Sequence, residues 1–151
     1  MITLVLAACA FEPVYAPGGS AHGLRNRVEV NEPTTTDTYL LVQNLEEQLG
    51  RPNPPEYNLT VGLVTFEQGQ AITADNAILR YSIVGLVDYR LVQASTGAVL
   101  ASGQLRNFTG YSATGSTVET LASERDAKRR LMTILADQLT STLYATVDLA
   151  G

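Results

Sequence analysis

Hydrophobic positions along this chain change their period several times, and each change marks an element. Between Gly23 and Pro33, Val28 and Val30 alternate with Arg27, Glu29 and Asn31. That short alternation predicts a strand at a sheet edge. The period then lengthens: Leu41, Leu45 and Leu49 recur at i, i+4 and i+8, widened by Val42. This is the stripe of an amphipathic helix with one buried face. Thr36 or Asp37 can cap its start, and Gly50 followed by Pro52 ends it.

Two-residue alternation returns at Tyr57, Leu59, Val61 and Leu63, predicting a half-buried strand. A longer strand follows. Leu79, Tyr81, Ile83, Val87, Tyr89 and Leu91 share one phase, and Arg80, Ser82, Asp88 and Arg90 share the other. One face of this strand looks inward and the other is at least partly wet. Ala94–Ala98 predicts a tight hairpin with Gly97 at positive φ. The return strand carries Gly103 and Gly110 as expected bulges. Ser116 and Glu119 then have capping-box spacing, and Leu131, Leu135, Leu139 and Leu143, with Ile134, form the stripe of a long C-terminal helix. The order β-α-β-β-β-α predicts an α+β sandwich, a mainly antiparallel sheet with two helices packed on one face. Residues 24–151 are expected to form this single domain, and no internal repeat interrupts it.

Composition agrees with a folded domain and narrows its chemistry. The 151 residues are 45% hydrophobic and 17% charged, enough for one real core. A net charge of −5 argues against nucleic acid as a partner. One histidine, His22, and one cysteine, Cys9, are too few for a Cys/His zinc site. No metal and no cofactor are expected. The "GGSAHG" stretch lacks the strand and helix that would make it a phosphate loop. His22 stands in that same Gly-rich stretch, a poor place to hold a catalytic base. The pairs Glu46-Glu47 and Glu124/Asp126 fall on predicted helix surfaces, so no enzyme is expected.

Positive charge is concentrated at two places. In "ERDAKRR", Glu124 precedes Lys128 and Asp126 precedes Arg130 by four residues, the favourable order for helix ion pairs of about 0.2–0.5 kcal/mol each. Arg125 and Arg129 are left over as like charges one turn apart. Arg80 and Arg90 share the wet face of the longest strand, where a rigid sheet can present them to an anion. Two glycosylation-like triplets, Asn58–Thr60 and Asn107–Thr109, are read as chance.

The first residues have a different logic. Ile2–Leu6 is apolar, Ala7-Ala8 is small, and no basic residue precedes Cys9. The run is well short of the ~20 residues a membrane-spanning helix needs. It has the order of a secretory signal whose front is missing. Leu6-Ala7-Ala8-Cys9 resembles the bacterial lipobox, which would make residues 1–8 a signal remnant and Cys9 the acylated first residue of the mature protein. Residues 9–23 are Pro-, Gly- and Ala-rich, as a tether between lipid and domain should be.

Taken together, the chain resembles the lipopolysaccharide-assembly lipoprotein (LptE) family in its alphaproteobacterial form. The resemblance rests on Cys9 followed by Phe11, Pro13, Tyr15 and Gly18, and on Tyr89 and Gly97 in the hairpin. It continues through Tyr111, Ala122, Asp126, Ala127, Arg130, Leu131, Leu135 and Ala136. It implies a lipid-anchored protein at the periplasmic leaflet of the outer membrane, which plugs and helps to assemble the LptD barrel and takes part in lipopolysaccharide transport. It also implies that basic residues meet lipopolysaccharide. From the faces described above, the candidates are Arg80, Arg90, Arg125 and Arg129. The alternative is a generic periplasmic lipoprotein that binds a small ligand or another envelope protein.

Overall fold

A computed structural model of the chain describes residues 23–72 and 78–147. The elements are β1 (Val28–Val30), α1 (Thr36–Leu49), β2 (Tyr57–Ile72), β3 (Ile78–Gln93), β4 (Val99–Ser112) and α2 (Thr117–Thr146). They follow the expected order. The four strands make one sheet in the order β1-β2-β3-β4. β1 lies parallel to β2, and the other pairings are antiparallel.

Each expected element forms, with two corrections of detail. The cap of α1 is Thr35, not Thr36 or Asp37. Thr35 is extended (φ −135°, ψ 167°), and its hydroxyl accepts the Thr38 N–H at 3.1 Å while Thr38 Oγ1 accepts the Thr35 N–H at 2.8 Å. Two threonines thus build a reciprocal cap usually made with an acid. α2 starts with the expected box, in which Glu119 accepts the Ser116 N–H at 2.6 Å.

The second correction concerns β4. The pairing with β3 runs in register through Gly103 and Gly110, and the irregularity falls between Leu91 and Val92, next to the hairpin. Gly103 serves packing instead: a Cβ there would lie 3.0 Å from the Tyr89 hydroxyl. Gly97 does take positive φ, 72°, at the turn.

Both helices lie on one side of the sheet. The odd-numbered positions of β3 point to them. Ile83, Val87 and Leu91 are fully buried, and a Cβ on Gly85 would stand 2.8 Å from Leu135 Cδ1. The core is closed by Leu41, Leu45 and Leu49 of α1 and by Leu131, Met132, Leu135, Leu139 and Leu143 of α2, all with no exposed surface. Burial of this size accounts for most helix stability in a small domain. Thr109 ties sheet to helix, donating its hydroxyl to the Ala127 carbonyl at 2.8 Å.

Candidate binding face of the sheet

Packing both helices on one side leaves the even-numbered side of β2, β3 and β4 without a covering element among the described residues. The register sets its side chains in cross-strand rows. Thr60, Arg90 and Ser102 form one row, and Gly62, Asp88 and Gln104 the next. Val64, Leu86 and Arg106 follow, then Phe66, Val84 and Phe108, then Gln68, Ser82 and Gly110. Cross-strand neighbours on one face are close enough to pack. Val84 is accordingly only 2% exposed between its two phenylalanine neighbours. Those neighbours stay open, Phe108 at 65% and Phe66 at 39%, as does Val64 at 57%.

Arginines surround this apolar middle. Arg106 stands across from Leu86, Arg90 across from Thr60 and Ser102, and Arg80 across from Ser112. Across β2–β4, among the described residues of this phase, Asp88 is the one acid. Gln104 Nε2 donates to it at 2.9 Å. A protein of net charge −5 therefore carries a face with a surplus of positive charge. Arg80 and Arg90 lie near opposite ends of the 16-residue β3, on the order of 30 Å apart at the rise of an extended strand. They cannot grip one small anion. They can meet separate groups of an extended one, with Arg106 between them.

The expected basic residues thus fall in two places. Arg80 and Arg90 share the open sheet face. Arg125 and Arg129 stand on α2, in the other layer. There Asp126 holds Arg130 Nε at 2.9 Å and Arg129 at 3.5 Å, and Lys128 binds Glu124 at 2.6 Å. The two ion pairs read from helix spacing are present. Sequence reasoning passed over Arg106, Phe66 and Phe108. The signal for them was phase: all three are even-numbered, in step with Arg80 and Arg90 through the antiparallel register. Cys9, the tether 9–23 up to residue 22, and His22 lie outside the described residues.

The helix side holds a second polar group. Tyr111 stacks on Tyr81 (centroids 5.4 Å apart, planes 15°) and its hydroxyl donates to Glu67 at 3.4 Å. Burial, with Glu67 and Glu124 nearby, pushes the Tyr111 phenol up to about 12. The Glu124 hydrogen bond holds the Lys128 ammonium above its usual value, against the opposing effect of burial. Both shifts fix the ordinary protonation state more firmly, the reverse of what acid–base chemistry near neutrality requires. A groove of about 310 Å³ beside β1 is lined by Val28, Asn31, Val42, Glu46, Arg51 and Pro52. Of its charged lining, Glu46 and Arg51 are paired at 2.9 Å, and Glu29 and Glu32 stand beside them. Among the described residues no group of three histidine, cysteine or acid side chains is placed to hold a metal. No described helix is long and apolar enough to cross a membrane.

No family model matches the chain. No curated protein matches it either. Solved structures do. A Caulobacter crescentus protein assigned as a lipoprotein superposes with a TM-score of 0.68 at 19% identity, over 83% of this chain and 93% of its own. A minor lipoprotein of Acinetobacter baumannii gives 0.62 at 19% identity, over 80% and 91%. The rare lipoprotein B of Shewanella oneidensis gives 0.59 at 9% identity, over 80% and 93%. At such identities the likeness is one of fold.

Proposed function

We propose that this chain is a lipid-anchored lipoprotein of the outer membrane that plugs and helps to assemble the LptD barrel and takes part in moving lipopolysaccharide to the cell surface. The role is non-catalytic. The observation that carries the reading is the open sheet face, with exposed Phe66, Phe108 and Val64 amid Arg80, Arg90 and Arg106. Apolar contact and spaced guanidinium groups suit an amphiphile bearing phosphates and acyl chains. A lipobox-like Leu6–Cys9 and a fold shared with bacterial lipoproteins support the same reading. Acyl chains on Cys9 would add about 0.8 kcal/mol of membrane affinity per buried CH₂. The interior of an outer-membrane barrel is polar, which fits the charged outer surface of α2.

Depletion in the native bacterium tests this reading, with surface lipopolysaccharide and barrel folding as readouts. Both are expected to fall. Complementation by a chain carrying Arg80→Glu, Arg90→Glu and Arg106→Glu is expected to restore the anchored protein without restoring transport. Normal surface lipopolysaccharide after depletion would sink the proposal. Labelling of Cys9→Ala with a palmitate analogue addresses the anchor, and persistent label would refute acylation at Cys9.

A further inference from the structure

The sheet has two edges, and they are protected differently. An edge strand offers unpaired N–H and C=O groups to any extended chain. β1 is three residues long and is followed by Asn31, whose side chain occupies the N–H and C=O of Val61 at 2.8 and 3.3 Å. Pro33 then leads the chain away, so β1 and Asn31 guard β2 as far as Val61, and the outer side of β2 beyond it has no strand partner among the described residues. β4 is fourteen residues long. The Ala113 N–H donates to the Leu79 carbonyl at 2.9 Å, so odd-numbered residues of this strand bond to β3 and even-numbered ones point outward.

Two of the outward groups are satisfied by the chain itself. Asn107 Oδ1 accepts the Phe108 N–H at 2.9 Å, and the Arg130 guanidinium donates to the Gly110 carbonyl at 3.3 Å. Ser102, Gln104 and Arg106 have no such partner among the described residues. Their main-chain groups form an open window in unbroken register.

We propose that this window of β4 receives an extended segment of another polypeptide as a fifth strand. The surroundings define that segment. On the helix side its side chains would land beside Leu105 and Ile134. Arg130 reaches Gly110 and Gln138 accepts from Asn107 at 3.3 Å, so Ile134, one turn from each, overlooks the edge, 37% exposed. On the open face the segment would pass Arg106. The occupant therefore alternates apolar and acidic residues, with main-chain bonds for affinity and alternate side chains for choice. A second copy of this chain is a poor match, because its own β4 would bring Ser102, Gln104 and Arg106 and no acid. The proposal does not depend on the lipid reading.

The test uses the full chain and a peptide of alternating valine and glutamate, titrated by amide NMR. Saturable shifts are expected at Ser102, Gln104 and Arg106, with slower amide exchange at the same three positions. Gln104→Pro removes an outward N–H and no ladder bond, and should weaken binding about tenfold or more. Gln104→Ala should bind within about twofold of the parent, because main-chain recognition ignores that side chain. A valine–lysine peptide should bind more weakly than the valine–glutamate one. Absence of shifts at the three amides, or equal binding by Gln104→Pro, overturns the proposal. So does self-association of the chain that Gln104→Pro abolishes, since the occupant would then be a second copy. If Gln104→Pro fails to fold, exchange protection by the peptide in the parent chain decides alone.

Discussion

The two faces of the sheet are made from the same strands and differ in what covers them and in charge. On the odd-numbered face, Ile83, Val87 and Leu91 are sealed under two helices. On the even-numbered face, apolar residues are equally large, yet Phe108 keeps 65% of its surface exposed. Burial of apolar area stabilises a fold by about 25 cal/mol per Å². The helix face draws on that in full, and the open face largely does not. An apolar patch left outside, with arginines around it, is the feature on which the proposed binding role rests.

The largest test of this contrast is a truncation on each side. Leu135→Ala should lower unfolding free energy by about 3 kcal/mol, through lost burial and a cavity between α2 and β3. Phe108→Ala should cost less than about 1 kcal/mol, the ordinary range for an exposed site. Urea unfolding of both variants measures the difference. Equal losses would mean that the open face belongs to the core, and the binding role would fail with it.

Two glycines sharpen the same point with additions in place of deletions. Gly85 faces α2, where Leu135 and Leu131 come within 2.8 and 3.2 Å of an added Cβ. Gly62 is on the other face with nothing within 4 Å. Gly85→Val should destabilise by about 1–3 kcal/mol through overpacking. Gly62→Val should be neutral or stabilise by up to about 1 kcal/mol, because valine suits a strand better than glycine does. Thermal unfolding that ranks Gly62→Val below Gly85→Val would reverse the assignment of the faces.

A smaller effect lies inside the covered layer. Thr109 and Thr140 are its buried threonines among the described residues, exposed 6% and 5%. Thr109 donates to Ala127, whereas the Thr140 hydroxyl has no hydrogen-bond partner among the described residues. Thr140→Val keeps the shape and removes the stranded hydroxyl, and should raise stability by about 1 kcal/mol. Thr109→Val should lower it by a similar amount, since it leaves the Ala127 carbonyl without this donor. Calorimetry of the two variants gives opposite signs if the layer is as dry as its packing indicates.

Much of this arrangement was legible in the sequence. Leucines four apart fixed both helices, and the phase of Ile83, Val87 and Leu91 fixed which side of β3 they cover. Arg80 and Arg90 could be placed on the opposite side for the same reason. What stayed hidden was the apolar part of the open face. Val64, Phe66, Val84, Leu86 and Phe108 fill the polar phase with apolar residues, and periodicity alone cannot tell such a strand from one buried on both sides. The parallel pairing of β1 with β2 depends on where a remote segment docks, which local patterns do not encode. Arg125 and Arg129 were correctly placed on a helix, but which layer that helix occupies relative to Arg80 is a tertiary fact. The Thr35–Thr38 cap escaped because the box pattern ordinarily ends in an acid.

That cap also separates the helices in a way that pH can expose, with the smallest effect of the series. The reciprocal cap of α1 is made by two threonines, Thr35 and Thr38, which carry no charge, although Asp37 stands in the same turn. α2 begins with Ser116 and Glu119, and the Ser116 N–H holds the Glu119 carboxyl below its ordinary value of 4.5. A carboxyl whose folded pKa is depressed contributes stability above its unfolded pKa and loses it as pH falls through the folded value. Glu119→Gln keeps a hydrogen-bonding group at the site and removes the charge. The parent chain should therefore exceed Glu119→Gln in stability at neutral pH, and the advantage should shrink as pH falls below the ordinary carboxyl value of 4.5. Amide exchange in the first turn of α2 should follow the same course. An advantage that persists unchanged in acid would show that Glu119 acts through shape alone.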